Sequence, residues 1–112
     1  MISVTFYENK EGILYGFTSD GHAGYADSGS DIVCSAVSIL SVNTVNAVES
    51  FTGDRFQYDL RESDGFLSFQ ITSDVSPESE LLLKTMRLGV EGIISEYGRK
   101  YVKTSTVTKE AL

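Results

Sequence analysis

The chain contains a single histidine, His22, and a single cysteine, Cys34, joined by a segment rich in Gly, Ser and Asp. A thiol beside an imidazole can act as a nucleophile, because the imidazole takes the thiol proton and later returns it to a leaving group. Asp31 is a suitable N-cap for a helix that begins at Ile32. Cys34 then lies in the first helical turn, where unpaired N–H groups favour a thiolate and leave spare donors for an oxyanion. The sequence therefore predicts a nucleophile and its acid/base partner.

Each of these residues also has a purely structural interpretation. A lone cysteine in a helix is most often a small buried apolar residue, and a lone loop histidine is most often solvated. Asp31 can be an N-cap and nothing more, since a carboxylate so close disfavours the thiolate unless it orients His22 instead. Ser38 lies one turn after Cys34 and either lines the site or is a small polar residue packed under the sheet. The residue types alone leave both interpretations open.

The histidine and the cysteine lie between a predicted hairpin and a predicted helix. Residues 2–7 and 13–18 alternate apolar and polar side chains, which predicts two strands, with Tyr15 sharing a face with its apolar neighbours two positions away. Residues 19–31 are predicted to be a loop, and long loops in small domains tend to be functional. Residues 32–51 show helical periodicity without Gly or Pro. The loop must therefore return the histidine to the start of this helix.

The remaining elements are predicted by turn and capping residues. Gly53 is predicted to end the first helix, and Asp64-Gly65 lies between two alternating runs that indicate a second hairpin. Ser76-Pro77 is typical of a helix start, and residues 101–108 predict a last strand. The order β-β-α-β-β-α-β predicts one α+β domain over residues 1–112. We expect an antiparallel sheet from the two hairpins plus the C-terminal strand, with both helices packed on one face.

Composition limits the classes of function and of partner. The chain has 112 residues and a net charge of −7, so it lacks the basic character expected of a nucleic-acid-binding protein. One cysteine excludes an internal disulfide, and zinc sites take about four Cys or His ligands, of which the chain offers two. We find no apolar run long enough to span a bilayer and no signal-peptide pattern at the N-terminus. These features predict a cytoplasmic protein that uses no metal and has no membrane or nucleic-acid partner.

A longer pattern resembles a known family. Residues 21–26 are Gly-His-Ala-Gly-Tyr-Ala, residues 31–38 are Asp-Ile-Val-Cys-Ser-Ala-Val-Ser, and Gly29 lies between the two runs. This pattern closely resembles the signature of the bacterial ribosomal-processing cysteine proteases, the Prp family, and the length and element order of the chain fit as well. Ser35 stands where the family often has Ala, which does not touch the chemistry.

The resemblance implies a cysteine endopeptidase with Cys34 as nucleophile and His22 as its proton partner, a mechanism that needs no cofactor. The implied substrate is the N-terminal extension of large-subunit ribosomal protein number twenty-seven, cut after paired aromatic residues. The family resemblance also implies a homodimer and a mobile loop over the site. The residues predicted to belong to this substrate loop are Gly21, Ala23, Gly24, Tyr25 and Gly29.

Two other functions remain open at this point. The first is a non-catalytic ribosome-assembly or peptide-binding module in which Cys34 is merely buried. The second is a thiol-dependent hydrolase of small thioesters or amides. Thiol reactivity separates the first from a protease, because an active thiolate is alkylated below pH 7 and a structural thiol is not. A panel of small acyl substrates separates the second.

Overall fold

A computed structural model describes residues 1–27 and 30–110, and in this part of the chain five strands and two helices follow the predicted order. The α+β class is confirmed, because both helices pack on a single sheet. A 3₁₀ turn at Glu62–Asp64 joins the strands of the second hairpin. The elements are β1 Ile2–Glu8, β2 Leu14–Asp20, α1 Ile32–Phe51, β3 Phe56–Arg61, β4 Phe66–Ile71, α2 Pro77–Tyr97 and β5 Val102–Thr108.

The sheet is mixed, with strand order β3-β4-β2-β1-β5. The two hairpins are antiparallel as expected and join each other through β2 and β4, where Phe17 lies opposite Phe69. The prediction of an antiparallel sheet is wrong for β5, which runs parallel to β1 with Val102 opposite Ile2. A helix connects β4 to β5, and a helical crossover lets the chain return in the same direction as its new neighbour, which a tight turn cannot do.

The core lies between one face of the sheet and the two helices. Phe6, Phe17 and Phe69 are fully buried in it, and the rings of Phe17 and Phe69 lie 5.6 Å apart. Burial of an apolar side chain of this kind stabilises the fold by about 1.5–3 kcal/mol, so this packing fixes each helix against the sheet. The buried apolar residues of the helices are Val33, Val37, Val45, Val48, Leu83, Met86 and Val90.

A bulge in β2 changes which side chains reach the core. The register shifts between Tyr7 and Glu8, so that Tyr15 is the extra residue on β2 and Leu14 becomes a core residue. The Tyr15 ring lies beside Tyr7 on the other face, and its hydroxyl donates to the carbonyl of Lys109 at 2.9 Å. The prediction that Tyr15 shares a face with Phe17 is wrong, because the extra residue interrupts the alternation.

α1 begins after Asp31 as predicted, and it ends at Phe51 with Thr52, rather than Gly53, as its C-cap. The Thr52 N–H and hydroxyl both donate to the carbonyl of Val48, which satisfies the end of the helix. By length and composition alone, α1 is apolar enough to cross a membrane, contrary to the sequence expectation. Its buried valines pack on the sheet, which accounts for part of this apolar character.

Candidate active site

α1 begins at a buried carboxylate that binds the preceding loop. Oδ1 of Asp31 accepts the N–H groups of Val33 at 3.0 Å and Cys34 at 2.9 Å. Oδ2 accepts those of Tyr25 at 2.9 Å and Ala26 at 3.3 Å. Burial by itself raises the pKa of Asp31, but the N–H donors of Cys34, Ala26 and Tyr25 outweigh it and hold the pKa below its usual value. An ionised Asp31 therefore ties the loop to the first turn of the helix.

The thiol of Cys34 is half-buried at the third position of α1. The backbone N–H of Ala23, a buried residue of the loop, donates to Sγ at 3.1 Å. An N–H directed at sulfur stabilises negative charge on that atom. The loop therefore brings an N–H donor to the thiol, and it also brings His22 close to the start of α1.

His22 reaches the same region from the end of β2. Gly21 precedes it with φ +103°, a backbone conformation that L side chains rarely adopt, and the Gly21 N–H donates to the carbonyl of Gly65 at 2.9 Å. The His22 side chain is exposed and lies against Gly65. Among the described residues, no hydrogen bond joins His22 to Cys34 or to Asp31. Such contacts often form only when substrate is bound.

A cavity of about 310 Å³ lies between α1 and the end of the sheet. His22, Cys34 and Ser38 lie on its wall, and Glu62 from the 3₁₀ turn adds a carboxylate. Cavities from about 300 Å³ upward hold small ligands, so this one has room for a large side chain of a peptide. Its apolar wall is formed by Ile2, Val37, Val42, Leu60, Phe66 and Leu67.

The structure therefore brings four of the predicted site residues to one cavity, which are His22, Cys34, Ser38 and, from the predicted substrate loop, Gly21. Asp31 lies behind the thiol as a helix cap and loop anchor, with both carboxylate oxygens occupied by backbone donors. It does not orient the histidine in this conformation. The catalytic roles of these side chains remain predictions at this point.

The predicted substrate loop is divided between two sides of the site. Ala23 lies against the thiol, whereas Gly24 and Tyr25 do not line the cavity. The ring of Tyr25 packs edge-on against Tyr97 at 5.6 Å and Tyr101 at 5.1 Å, next to the end of α2. Closure of this loop over a peptide stays a prediction. Gly29, the remaining residue predicted for this loop, lies outside the described residues.

The expectation of spare oxyanion donors at the helix start is wrong for Val33 and Cys34, because their N–H groups are occupied by Asp31. The N–H of Ala23 is instead the donor directed at the sulfur. Sequence reasoning also missed Gly65 and Glu62, which come from the second hairpin. The Asp64-Gly65 signal predicted a turn there but not the proximity of that turn to the histidine.

This arrangement combines the parts that acyl transfer requires. It has a half-buried sulfur with an N–H donor, a histidine on the same cavity and an apolar pocket beside them. Within residues 1–27 and 30–110, no group of three His, Cys, Asp or Glu side chains is arranged to hold a metal ion.

The sequence matches proteins of known activity over most of its length. The family model for the cysteine protease Prp matches residues 1–103. The chain is 31% identical over 97 residues to the ribosomal processing cysteine protease Prp of Staphylococcus aureus, which covers 87% of this chain and 92% of that protein. It is 30% identical over 101 residues to the ribosomal processing cysteine protease Prp of Bacillus subtilis, with coverage of 87% and 90%.

Solved structures agree with this assignment. The ribosomal processing protease Prp from S. aureus in complex with a covalently linked product peptide has a TM-score of 0.89 and 28% identity, covering 96% of this chain and all of that one. The complex of the same protease with a substrate peptide has a TM-score of 0.84 and 27% identity, with the same coverage. SMU.848 from Streptococcus mutans has a TM-score of 0.81 and 33% identity, covering 97% and 99%. The chain therefore belongs to the Prp family of ribosomal processing cysteine proteases, and it is a cysteine protease.

Proposed function

We propose that this protease removes the N-terminal extension of large-subunit ribosomal protein number twenty-seven, with Cys34 as nucleophile and His22 as acid and base. The observation that carries the proposal is that the only histidine and the only cysteine of the chain lie on the wall of one cavity at the start of α1. The S. aureus relative has been solved with a substrate peptide and with a covalently linked product peptide. Both complexes support a peptide substrate, and the covalently linked product peptide supports a covalent step.

In the first step His22 takes the proton of the Cys34 thiol, and the sulfur forms a bond to the carbonyl carbon of the scissile peptide. The carbonyl oxygen then carries the negative charge. When the carbonyl re-forms, the C–N bond breaks and His22 gives its proton to the leaving amine. Water, deprotonated by His22, attacks the remaining thioester and releases the carboxyl product and the free thiol.

The N–H of Ala23 is our candidate for stabilising the charged oxygen. It lies 3.1 Å from Sγ in the free enzyme, and the attacked carbonyl oxygen is held beside the sulfur once the bond has formed. The donor can then pass from the sulfur to the oxygen as negative charge moves between them. Asp31 supports this geometry from behind the thiol by fixing the loop that carries Ala23.

The cavity is our candidate for the pocket that accepts an aromatic side chain next to the scissile bond. Its wall is largely apolar, and Glu62 places negative charge on it. The net charge of −7 also suits a basic substrate. Because salt screens such attraction, cleavage should slow as ionic strength rises.

A synthetic peptide spanning the ribosomal-protein extension tests this function. We expect the wild type to make one cut after the aromatic pair, detected by mass spectrometry. Cys34→Ser should abolish the cut, and His22→Ala should slow it by about 10²–10⁴-fold, the usual contribution of a general acid or base. Cleavage that survives Cys34→Ser would overturn the assignment of the nucleophile. Binding of the peptide without cleavage by folded wild type would instead favour a peptide-binding module.

We further propose that the enzyme acts as a homodimer in the cytoplasm, without nucleic acid as a partner. Ile39 on α1 and Leu88 on α2 are more than 60% exposed, at 67% and 69%, and are side chains that a second subunit could cover. Sedimentation at several concentrations tests the dimer. A monomer at high concentration would contradict it.

A further inference from the structure

The turn between β3 and β4 lies directly against the histidine. Gly65 follows the 3₁₀ turn with φ +64°, in the left-handed region that favours glycine. A Cβ at this position would lie 2.8 Å from Cε1 and 2.9 Å from Nε2 of His22, and 2.8 Å from the carbonyl oxygen of Gly21. No side chain fits there unless the imidazole or the backbone before it moves.

Conformation alone does not explain this glycine, as a second turn shows. Gly12 in the first hairpin has φ +80°, yet a Cβ placed on it would meet no atom within 4 Å. Both positions favour glycine for its backbone freedom. Only at Gly65 is the space of the missing side chain filled by an imidazole.

The histidine has few other constraints on its orientation. Within the described residues, the His22 side chain makes no hydrogen bond and no ion pair. The titratable groups that share its cavity are Cys34 and Glu62. Its backbone is held by the preceding residue, because the Gly21 N–H donates to the Gly65 carbonyl. The turn therefore contacts both the ring of His22 and the backbone that leads to it.

We propose that Gly65 is a positioning residue for the reaction. Its absent side chain provides the space in which the imidazole of His22 faces the cavity of Cys34, and its carbonyl anchors the backbone before the histidine. This inference rests on the proposed acid/base role of His22. The turn of the second hairpin would then contribute to catalysis as well as connecting β3 to β4.

The test compares Gly65→Ala and Gly65→Asn with the matched control Gly12→Ala. Asn tolerates the left-handed backbone better than Ala, so Gly65→Asn relieves conformational strain while still placing a Cβ against the imidazole. Each variant is compared with wild type below its own melting temperature. The chain has one histidine and one cysteine, so the proton NMR titration of the histidine ring and the rate of thiol alkylation each report on a single residue.

We expect both Gly65 variants to shift the His22 ring resonances. We also expect them to lower kcat by at least about tenfold with little change in KM, since small misplacements of catalytic groups cost this much or more. Gly12→Ala should leave the His22 resonances unchanged and kcat within about twofold of wild type. A substitution at this turn lowers the stability of the fold without moving the residues of the site. Wild-type resonances and activity in Gly65→Asn would overturn the proposal, as would equal effects in Gly12→Ala.

The outcome is separable from that of the proposed function. If His22→Ala cleaves as fast as wild type, the acid/base role fails, whatever the Gly65 variants do. If His22→Ala is inactive but the histidine signal is unchanged in both Gly65 variants, the acid/base role stands and the positioning role of Gly65 fails.

Discussion

Each helix begins beside an aspartate, but only the start of α1 is proposed to carry chemistry. The buried Asp31 is itself the N-cap of α1, whereas Ser76 caps α2 and the half-buried Asp54 accepts from the hydroxyls of Ser76 and Ser79. The third helical position holds a small side chain in both, Cys34 in α1 and Ser79 in α2. Ser79 is fully buried and donates its hydroxyl to Asp54 at 2.6 Å. Cys34 is half-buried and opens onto the cavity that His22 shares. A helix start alone therefore does not make a nucleophile, because access and a proton partner are needed as well.

The two aspartates also differ in what they hold. Oδ2 of Asp54 accepts the N–H and hydroxyl of Ser76 and the hydroxyl of Ser79, which fastens the segment before β3 to the start of α2. Burial by itself raises the pKa of Asp54, but these donors bring it below its usual value. Both oxygens of Asp31 instead accept backbone N–H groups, two of them from the loop that carries His22. A carboxylate at a helix start thus stabilises the fold at α2, through the cap residue Ser76, and positions the candidate site at α1, where Asp31 is the cap itself.

The largest expected effect comes from moving the thiol between these positions. In the double variant Cys34→Ala/Ser79→Cys the sulfur still lies in the first turn of a helix. At this position it is no longer accessible to substrate, and His22 is not beside it. We expect cleavage to fall by at least about 10³-fold, as it does when a nucleophile is removed. Alkylation of the folded protein should become slower than in wild type, because Ser79 is fully buried. A relocated thiol that reacts as fast as Cys34 would show that the helix start alone activates it.

The next effect separates the two aspartates. In Asp31→Asn the amide oxygen still caps α1, since Asn caps helices as well as Asp does. The NH2 group then replaces Oδ2 and, being only a donor, accepts from neither Tyr25 nor Ala26. We expect unfolding to become easier by about 1–3 kcal/mol, because buried donors lose their partner, and kcat/KM to fall by about tenfold as the loop loosens.

Asp54→Asn is the control for this loss of activity. Asp54 also accepts hydrogen bonds at a helix start, but it is remote from the thiol. We therefore expect a similar loss of stability, with activity within about twofold of wild type. Urea denaturation and peptide cleavage measure both quantities. Equal losses of activity in the two variants would mean that Asp31 acts only through stability.

A smaller effect is expected on lowering the pH. Both aspartates have folded-state pKa values below their usual ones, so the unfolded chain binds protons first as the pH falls. Their contribution is complete above about pH 4 and is lost as the pH passes below the unfolded and then the folded pKa. The urea concentration at which half of the wild-type protein is unfolded should therefore decrease when the pH is lowered below about 4. The double variant Asp31→Asn/Asp54→Asn should show a flatter profile, and an unchanged slope would contradict this assignment.

The smallest effect tests the far side of the loop. Tyr25→Ala removes two edge-on ring contacts, with Tyr97 and Tyr101, each worth about 0.5–1.5 kcal/mol beyond simple burial. We expect a modest loss of stability and a higher KM, because the loop that must close over the peptide becomes less ordered. Tyr97→Ala is the matched control, since it removes one of the same contacts from α2. A change in kcat alone would place Tyr25 in the chemical step instead.

Local signals in the sequence predicted the helices and strands and the candidate reacting pair, His22 and Cys34. Alternation of apolar and polar side chains predicted the hairpins. Asp31 predicted the start of α1, and Ser76-Pro77 predicted the start of α2. Each of these predictions is confirmed in the structure. These features depend on residues within about four positions of one another, where backbone geometry and capping operate. The family pattern around His22 and Cys34 is also contiguous, so the sequence could indicate the activity itself.

Tertiary structure decided what surrounds that pair. The N–H groups of Val33 and Cys34 were predicted as spare, and folding of the loop assigns both to Asp31. The bulge at Tyr15, the parallel direction of β5 and the contact of Gly65 with His22 all join segments distant in sequence. Their geometry depends on how strands pair and how the core packs, which no local periodicity encodes. The sequence by itself predicted which residues react, and the pairing of the two hairpins decided how the histidine is held beside the cavity that the thiol lines.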